Sequence, residues 1–266
     1  MTPITLSAFD LLLAALSLLI ASGLSLLLSL GFHRAMALAV LRMVAQLVLV
    51  GLLLRYIFAL SSPLVTLGFA AVMILAAIWE VQSRQKRQLR GWLRFGLGGL
   101  PVVIATTFVT GMALATALRE AAWLDPRHTI PLVGIILGTV MNSTSLALNT
   151  MLGSVQRERR AIEARLSLGA DSHLALRELR LSAAHNGLIP VINQMAGAGI
   201  ITLPGIMTGQ ILGGMDPLDA ARYQILLMLL LAGAGALGVI LATQLCLASV
   251  TDKRHRLRLD RLEERG

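Results

Sequence analysis

The sequence predicts an all-α, polytopic membrane protein with about seven transmembrane helices. Of its 266 residues, 56% are hydrophobic, and the mean hydropathy is +0.77. Long apolar runs recur along the chain, with the roughly 20 residues that a helix needs to cross a bilayer core of about 30 Å. The lysines and arginines are concentrated in some loops and sparse in others, as in membrane proteins with a fixed orientation. We expect one transmembrane domain over residues 1–251, followed by a charged tail, 252–266.

Seven apolar segments are expected to span the membrane. The first carries no charge from Leu11 to Phe32, the third ends at Glu80, and the fourth has Pro101 in its first turns. The charged tail is expected to be a frayed helix on the membrane surface. The seven expected spans are approximately 11–32, 37–60, 63–79, 95–118, 129–152, 186–214 and 223–250.

The basic residues indicate the orientation. All but four of the 23 lysines and arginines fall on one set of loops and ends, including a basic interfacial segment, 84–94, that contains Trp92. The positive-inside rule places these loops and the C-terminus in the cytosol, and the N-terminus outside. The net charge of +9 is therefore a topology signal, and no nucleic-acid partner is expected. The four exceptions are Arg55, Arg119, Arg127 and Arg222.

The longest charged stretch, residues 154–184, is expected to form two short amphipathic helices between two spans. Apolar residues recur at helical spacing on both sides of Gly169. Gly169 is suited to the turn because glycine adopts left-handed backbone conformations at no steric cost. Asp171 or Ser172 can cap the second helix through a side-chain oxygen. The result is a small, rigid element on the cytosolic side.

This stretch resembles the EAA-x-x-x-G signature of ABC transporter permeases. Glu163-Ala164-Arg165 is followed by Gly169, and 179–182, LRLS, stands where the signature has I-x-L-P. The departures are Arg165, Leu179 and Ser182. The resemblance implies docking into a separate ATPase subunit, which would bind ATP and magnesium, whereas this chain would hold no cofactor. Alternatives are a solvated hairpin and a DNA-binding helix-turn-helix, for which the stretch is short. The implied coupling residues are Glu163, Ala164, Gly169, Leu179 and Leu181.

A search for catalytic or energy-coupling chemistry finds none in the sequence. There is no G-x-x-x-x-G-K-[ST] phosphate-binding loop, no histidine pair at metal-ligand spacing, and one cysteine, Cys246. All acidic residues lie near span ends, in loops or in the tail. A proton- or sodium-driven carrier usually buries an acid in mid-membrane. The distribution therefore favours a partner ATPase as the energy source.

Uncharged polar side chains follow helical spacing in two expected spans. In the fifth span, Asn142, Ser145 and Asn149 fall on one face. The sixth span carries a second polar stripe, and Pro204-Gly205 is expected to break its helix. Such stripes line a translocation path or hold helices together, and the sequence leaves both interpretations open. The expected path residues are Asn142, Ser145, Asn149, Asn193, Gln194, Pro204, Thr208 and Gln210.

A few further side chains are weaker candidates. Met195 and Met207 could offer thioether sulfur to a soft metal, although methionine more often fills space in membrane helices. Glu80 is a possible accessory acid, more simply explained as a partner of Arg84 one turn later. Arg42 and Gln46 lie four residues apart on the second span, with the same accessory role in view.

Several segments resemble the FetB-type iron export permease family. They are 199–213, GIITLPGIMTGQILG; 221–225, ARYQI; Arg42-x-x-x-Gln46-Leu47 with Gly51 and 56–58, YIF; and the run from Ser145 to Asn149. The resemblance implies a bacterial inner-membrane permease, with two copies pairing with two ATPase subunits to export iron. The alternatives are an ABC importer permease for a small solute, a membrane-embedded enzyme and a non-transporting membrane scaffold.

Overall fold

The computed structural model describes residues 7–60, 62–85, 87–89, 91, 93–116, 125–252 and 254–264. These residues are mostly helical, which confirms the predicted all-α membrane class. Two short strands also occur, β1 (Arg87–Leu89) and β2 (Leu262–Glu264). The helices are α1 (Ala8–Leu27), α2 (His33–Leu60), α3 (Pro63–Ser83), α4 (Leu93–Thr116), α5 (Pro126–Arg157), α6 (Arg159–Ser167), α7 (Ser172–Ala175), α8 (Arg177–Gly197), α9 (Gly205–Leu212) and α10 (Pro217–Val250).

Six helices in the described part of the chain are long and apolar enough to cross a membrane: α1 to α5 and α10. The remaining expected span, 186–214, is divided between α8 and α9. The chain leaves α8 at Gly197 and enters α9 at Gly205, with Pro204 as the N-cap residue. The helix is therefore interrupted where Pro204-Gly205 predicted, while the number of membrane crossings stays a prediction. Residues 117 and 118 of the fourth expected span, and Arg119 beyond it, lie outside the described residues.

The chain divides into two compact units, Met1–Leu60 and Ser61–Gly266. In the first unit α1 packs against α2. A capping box begins α1: the Asp10 N–H donates to Ser7 Oγ at 3.3 Å, and the Ser7 N–H donates to Asp10 Oδ2 at 2.8 Å. Most side chains on both helices are exposed leucine, valine and other apolar residues. This is a surface suited to lipid or to another membrane helix.

The second unit is a helical bundle in which α5 contacts α3, α4, α8 and α10. Glycines allow the closest approaches. A Cβ at Gly238 of α10 would lie 2.9 Å from Thr144 Oγ1 of α5. A Cβ at Gly187 of α8 would lie 2.9 Å from both the Ala147 Cβ and the Ser143 backbone oxygen of α5. Small residues at helix crossings are typical of membrane bundles, where dispersion contacts replace the hydrophobic effect.

The C-terminal tail is not a frayed helix, so that prediction was wrong for the described part of the tail. Asp252 Oδ1 accepts backbone N–H groups from Arg254 and Arg256, both at 2.9 Å. This local side-chain bonding competes with helix formation. The tail folds back and β2 pairs antiparallel with β1, so that Leu262 lies opposite Leu89. Lys86, Arg90, Trp92 and Lys253 lie outside the described residues.

Candidate functional site

The 154–184 stretch contains the predicted first short helix, α6, followed by a tight turn. The second short helix is a single turn, α7, and Leu179 and Leu181, expected on it, lie on α8, which continues to Gly197. Gly169 has a φ of +92°, in the left-handed region that favours glycine. Its N–H donates to Leu166 O at 3.0 Å, and the Ala170 N–H donates to Arg165 O at 3.1 Å. These bonds satisfy carbonyl groups at the end of α6, as in other glycine-terminated helices. The predicted turn at Gly169 is therefore found.

One further bond caps α7, and another joins α7 to α6. Asp171 Oδ1 accepts the Leu174 N–H at 2.7 Å, so Asp171 is the N-cap. Arg165 Nη1 donates to the Ala175 backbone oxygen at 3.2 Å, across the turn. Arg165 is one of the departures from the EAA signature. Its guanidinium reaches the carbonyl end of α7, which an alanine side chain could not do.

One face of α6 and α7 is anchored in the bundle. Ile162, Ala175 and Leu176 are fully buried, and Leu179 is only 2% exposed. Leu179, expected among the coupling residues, therefore lies in the core at the start of α8. Its place in the structure is that of an anchor for the segment.

The opposite face of the segment is open. Leu168 is 89% exposed, and Ala164 and Gly169 beside it are also exposed. Glu163 is partly exposed and pairs with Arg159 at 2.8 Å, while Leu181 is exposed on α8. Sequence reasoning did not include Leu168 among the coupling residues, although its position directly before the signature glycine could have pointed to it.

The tail contacts this segment as well as β1. His255 Nδ1 lies 3.2 Å from the Ser172 backbone nitrogen, whose N–H it accepts, and 3.0 Å from Ser172 Oγ. Farther along, Arg258 Nη2 donates to Asp260 Oδ2 at 2.8 Å, and this bond lowers the pKa of Asp260 to about 2. Because residues 172 and 255 are distant in sequence, no local pattern pointed to their contact.

The two asparagines of the α5 stripe are hydrogen-bonded to Arg84, whereas the Ser145 Oγ is buried with no hydrogen-bond partner in the described part of the chain. Asn142 Oδ1 accepts from Arg84 Nη1 at 2.8 Å, and Asn149 Nδ2 donates to Arg84 O at 3.2 Å. Arg84 also donates to Glu80 at 3.0 Å, which is the predicted pairing. Ser145, between the two asparagines, is 4% exposed. The structure thus brings Glu80, Asn142 and Asn149 together around one arginine.

The polar stripe on α8 and α9 is arranged differently. Asn193 and Gln194 are exposed, and neither side chain has a hydrogen-bond partner among the described residues. Thr208 Oγ1 donates to Pro204 O at 3.2 Å, within α9. Gln210 Oε1 is buried without a partner in the described part of the chain. Amide groups on this stripe are therefore available for contacts outside the single chain.

The weaker candidates lie apart from this stripe or at its edge. Met195 is exposed at the end of α8, and Met207 is partly buried in α9. Among the described residues, no group of three or more His, Cys, Asp or Glu side chains is placed to hold a metal ion. Arg42 and Gln46 are exposed on α2, in the first compact unit.

Comparison with known proteins covers nearly the whole chain. The profile of "Uncharacterised protein family (UPF0014)" matches residues 8–250. The chain belongs to this family. A family member from Synechocystis, named a UPF0014 membrane protein, is 38% identical over 205 residues, 76% of this chain and 77% of the relative. The "Probable iron export permease protein FetB" of Escherichia coli is 30% identical over 225 residues, 84% of each chain.

The family also includes plant proteins. The UPF0014 membrane protein STAR2 of rice is 35% identical over 212 residues, 79% of this chain and 72% of the relative. No solved structure matches the chain. The membership confirms the predicted resemblance to FetB-type permeases. With the apolar helices, it identifies the chain as a multi-helix membrane protein of permease type.

Proposed function

We propose that the chain is the membrane subunit of an ABC transporter that exports iron or another metal ion from the bacterial cytosol. Two copies would assemble in the inner membrane with a separate ATPase, and that partner would bind ATP and magnesium. Iron export is the function given in the name of the Escherichia coli relative. We extend it to this chain because 84% of both sequences align.

The open face of α6 and α7 is the observation that carries the proposal. Leu168, a large apolar side chain, is 89% exposed beside Gly169, in a segment rich in arginine. Because the opposite face is anchored by Ile162 and Leu176, a movement of the segment on ATPase binding would also move α8. A single exposed apolar residue is common on protein surfaces, and Leu168 supports docking because it stands directly before the glycine of the segment that resembles the EAA signature. We assign this face, with Ala164 and Glu163 at its edge, to the ATPase.

The polar stripe of α8 and α9 is our candidate for the translocation path. Asn193 and Gln194 are exposed, and an amide facing lipid hydrocarbon would be unfavourable. A water-filled path or the second permease copy would satisfy both groups. Neutral oxygens from Asn193 and Gln210 can replace part of an ion's hydration shell without trapping the ion. Asn142 and Asn149 are weaker candidates for the path, because their amides already bond Arg84.

The proposed orientation has the coupling segment in the cytosol and the loop before α10 outside. The test uses single cysteines at exposed positions in a Cys246→Ala background. Leu218→Cys should react with a membrane-impermeant thiol reagent in intact cells, and Leu168→Cys should react only after the membrane is opened. The reverse labelling pattern would overturn the orientation.

The function is tested by co-expressing the chain with an ABC ATPase encoded beside it. The purified complex in liposomes should hydrolyse ATP faster when ferrous iron is present and should move iron away from the side that carries the ATPase. Movement in the opposite direction would support an importer. A stable complex whose ATP turnover ignores metal ions would support a scaffold.

Gly169→Val provides the coupling variant for this assay. Its φ of +92° strains any β-branched residue, so the turn between α6 and α7 should distort and ATPase binding should fail. Gly31→Val is the matched control, since Gly31 also has a positive φ, of +76°, with nothing within 4 Å of an added Cβ. The control should insert and bind the ATPase normally. Equal ATPase binding by both variants would count against the coupling role.

A further inference from the structure

A cavity of about 550 Å³ lies beside the coupling segment, where α7 and the first turns of α8 meet α10. Its lining is divided by polarity. Arg177 and Arg180 contribute guanidinium groups at one end, and Leu181, Ala184 and Ile240 form apolar walls. The cavity is distinct from the exposed Leu168 face and from the polar stripe of α8 and α9.

The basic end of the cavity has unused hydrogen-bonding capacity. Arg180 Nε is buried with no hydrogen-bond partner among the described residues, and Arg180 Nη1 lies 3.4 Å from His173 Nδ1. Arg177 has one exposed contact, to Glu178 at 3.3 Å. The acid in the lining, Asp171, already accepts the capping bond from Leu174. Glu178 already pairs with Arg177, so Arg180 carries the unused capacity, and an anion would satisfy its buried Nε–H.

The apolar walls extend from this basic end along the helices. Leu181 directly follows Arg180, and Ala184 lies about one turn farther along α8. Across the cavity, Ile240 of α10 is 54% exposed. It precedes the end of α10 at Val250 by ten residues, or about 15 Å. Thr243 and Gln244, about one turn closer to the end of α10, add polar groups to the lining. The cavity is thus basic and polar near the helix ends and apolar around Leu181, Ala184 and Ile240.

We propose that this cavity binds one anionic phospholipid from the leaflet on the coupling-segment side. The phosphate would lie between Arg177 and Arg180, and an acyl chain would run along Ile240 and Leu181. Basic pockets between helix ends at the membrane surface are suited to anionic head groups. A free phosphate would leave the apolar walls without a contact. An acidic segment of a protein partner would match the charge but not the position of the walls beside α10.

A bound lipid at this place would brace the junction between α7 and α8. It would contact Arg177 and Arg180 on α8 and Ile240 on α10 at once, so the segment that precedes α8 would move less freely. Lipid binding at this cavity depends neither on which metal is transported nor on the identity of the ATPase. It concerns the chain alone in a membrane.

The test is competition between two lipids for the purified chain. Detergent-solubilised protein is mixed with equal amounts of phosphatidylglycerol and phosphatidylcholine of the same chain length, and bound lipid is counted by native mass spectrometry. The natural chain should retain phosphatidylglycerol selectively. The Arg177→Gln/Arg180→Gln variant should lose selectivity by roughly thirtyfold, or about fivefold for each arginine near the membrane surface.

Matched variants separate a specific site from general charge. Arg159→Gln/Arg160→Gln removes the same charge from α6 and should keep the selectivity. Arg180→Lys keeps the charge and should keep most of it. Unchanged thermal unfolding of each variant shows that the fold is retained, and where the glutamine pair fails to fold, Arg180→Lys and Ile240→Asn carry the test.

Three results would overturn the proposal. One is equal retention of the two lipids by the natural chain, and another is selectivity that survives Arg177→Gln/Arg180→Gln. The third is full displacement of phosphatidylglycerol by millimolar inorganic phosphate together with no effect of Ile240→Asn, because the ligand would then be a free anion. An acidic protein contact is indicated where the glutamine pair loses ATPase binding yet keeps lipid selectivity.

Discussion

The polar stripes on α5 and on α8 and α9 have the same helical spacing, yet the structure uses them in different ways. On α5, Asn142 and Asn149 bond Arg84 at the end of α3. On α8, Asn193 and Gln194 have no partner in the described part of the chain and are exposed. The asparagines of one stripe therefore have a partner within the chain, and the amides of the other have none in its described part.

This difference matters because lipid offers no hydrogen-bond partner to a polar side chain. A polar group in a membrane must find a partner inside the protein, in a water-filled cavity or in another subunit. The α5 asparagines have found theirs within the chain, so their spacing alone is weak support for a path. The α8 amides need something outside the single chain. The same residue type at the same spacing thus supports two different roles, and hydrogen bonding distinguishes them.

The largest expected effect comes from the face that joins the two regions. Gly187 places α8 against α5, and an added Cβ would meet the Ser143 oxygen and the Ala147 Cβ at 2.9 Å. Gly187→Ala should destabilise the bundle by up to about 3 kcal/mol, because neither atom belongs to a flexible side-chain end. Thermal unfolding in detergent measures the loss.

Gly138 on α5 is the matched control for Gly187→Ala. Nothing lies within 4 Å of a Cβ added there. Gly138→Ala should therefore be neutral or slightly stabilising, by at most about 1 kcal/mol, since alanine is the better helix former. A similar loss of stability in both variants would mean that α8 does not pack on α5 as closely as the structure has it.

The comparison itself is tested by one substitution in each stripe. Asn142→Leu should lower stability by about 1 kcal/mol, because the Arg84 guanidinium loses an oxygen that it now contacts at 2.8 Å, at a position open to solvent. Asn193→Leu should change stability by no more than about 0.5 kcal/mol, as expected for an exposed position without partners. Unfolding temperature gives the first difference.

Transport should show the opposite order. Asn193→Leu should assemble with the ATPase and hydrolyse ATP yet fail to move metal in liposomes, because a path oxygen is lost. Residual transport by folded Asn142→Leu should remain measurable. Leu231→Ala, in the core of α10, is a control for damage by a cavity alone. Normal metal transport by Asn193→Leu would assign the α8 stripe to packing between copies and remove it from the path.

A smaller effect is expected where the two regions are joined in sequence, through α6 and α7. Arg165→Ala restores the alanine of the EAA signature but removes the bond to Ala175 O. One hydrogen bond of about 1 kcal/mol corresponds to roughly a fivefold weaker ATPase affinity, measured by titration of the partner. Arg160→Ala, in the same helix, should leave the affinity within a factor of two. Tighter ATPase binding by Arg165→Ala would contradict a positioning role for Arg165.

The sequence predicted a large part of this fold for physical reasons. Long apolar runs define membrane helices by length alone. Gly169 and Asp171 carried local signals for the turn and the cap, and Pro204-Gly205 for the break, because backbone chemistry is encoded locally. The family resemblance rested on the segment 199–213, which is long enough to be specific.

The contacts between distant residues were beyond local patterns. Charge density suggested a helix for the tail, but the Asp252 side chain bonds two backbone N–H groups and turns the chain back. The partners of the tail, Ser172 and β1, lie far away in sequence. For the stripes, helical spacing predicted that the polar residues share one face. It could not predict which residues or solvent that face contacts. Leu179 stands at the isoleucine position of the signature, and its place in the core could not be predicted for the same reason.

The smallest expected effect concerns the C-terminal tail. The tail contacts Ser172 of α7, just before α8, and pairs with β1, which follows α3. It therefore links the chain segments next to the two polar stripes. The bond from Arg258 lowers the pKa of Asp260 to about 2, from an ordinary value of 3.8. A lowered carboxyl pKa stabilises the folded tail fully above about pH 4, and that stabilisation is lost as the pH falls toward 2. A nitroxide on Arg254→Cys in the Cys246→Ala background should stay immobile from neutral pH to about pH 4 and become mobile below it. Asp260→Asn already lacks the charge, so its label should be more mobile at neutral pH. Because the backbone N–H of Arg256 also lowers the pKa of Asp252, the change in acid should be smaller in Asp260→Asn and absent in Asp252→Asn/Asp260→Asn. A transition near neutral pH that persists in Asp260→Asn would show that another group controls the tail, and the link between the two regions would then not depend on this ion pair.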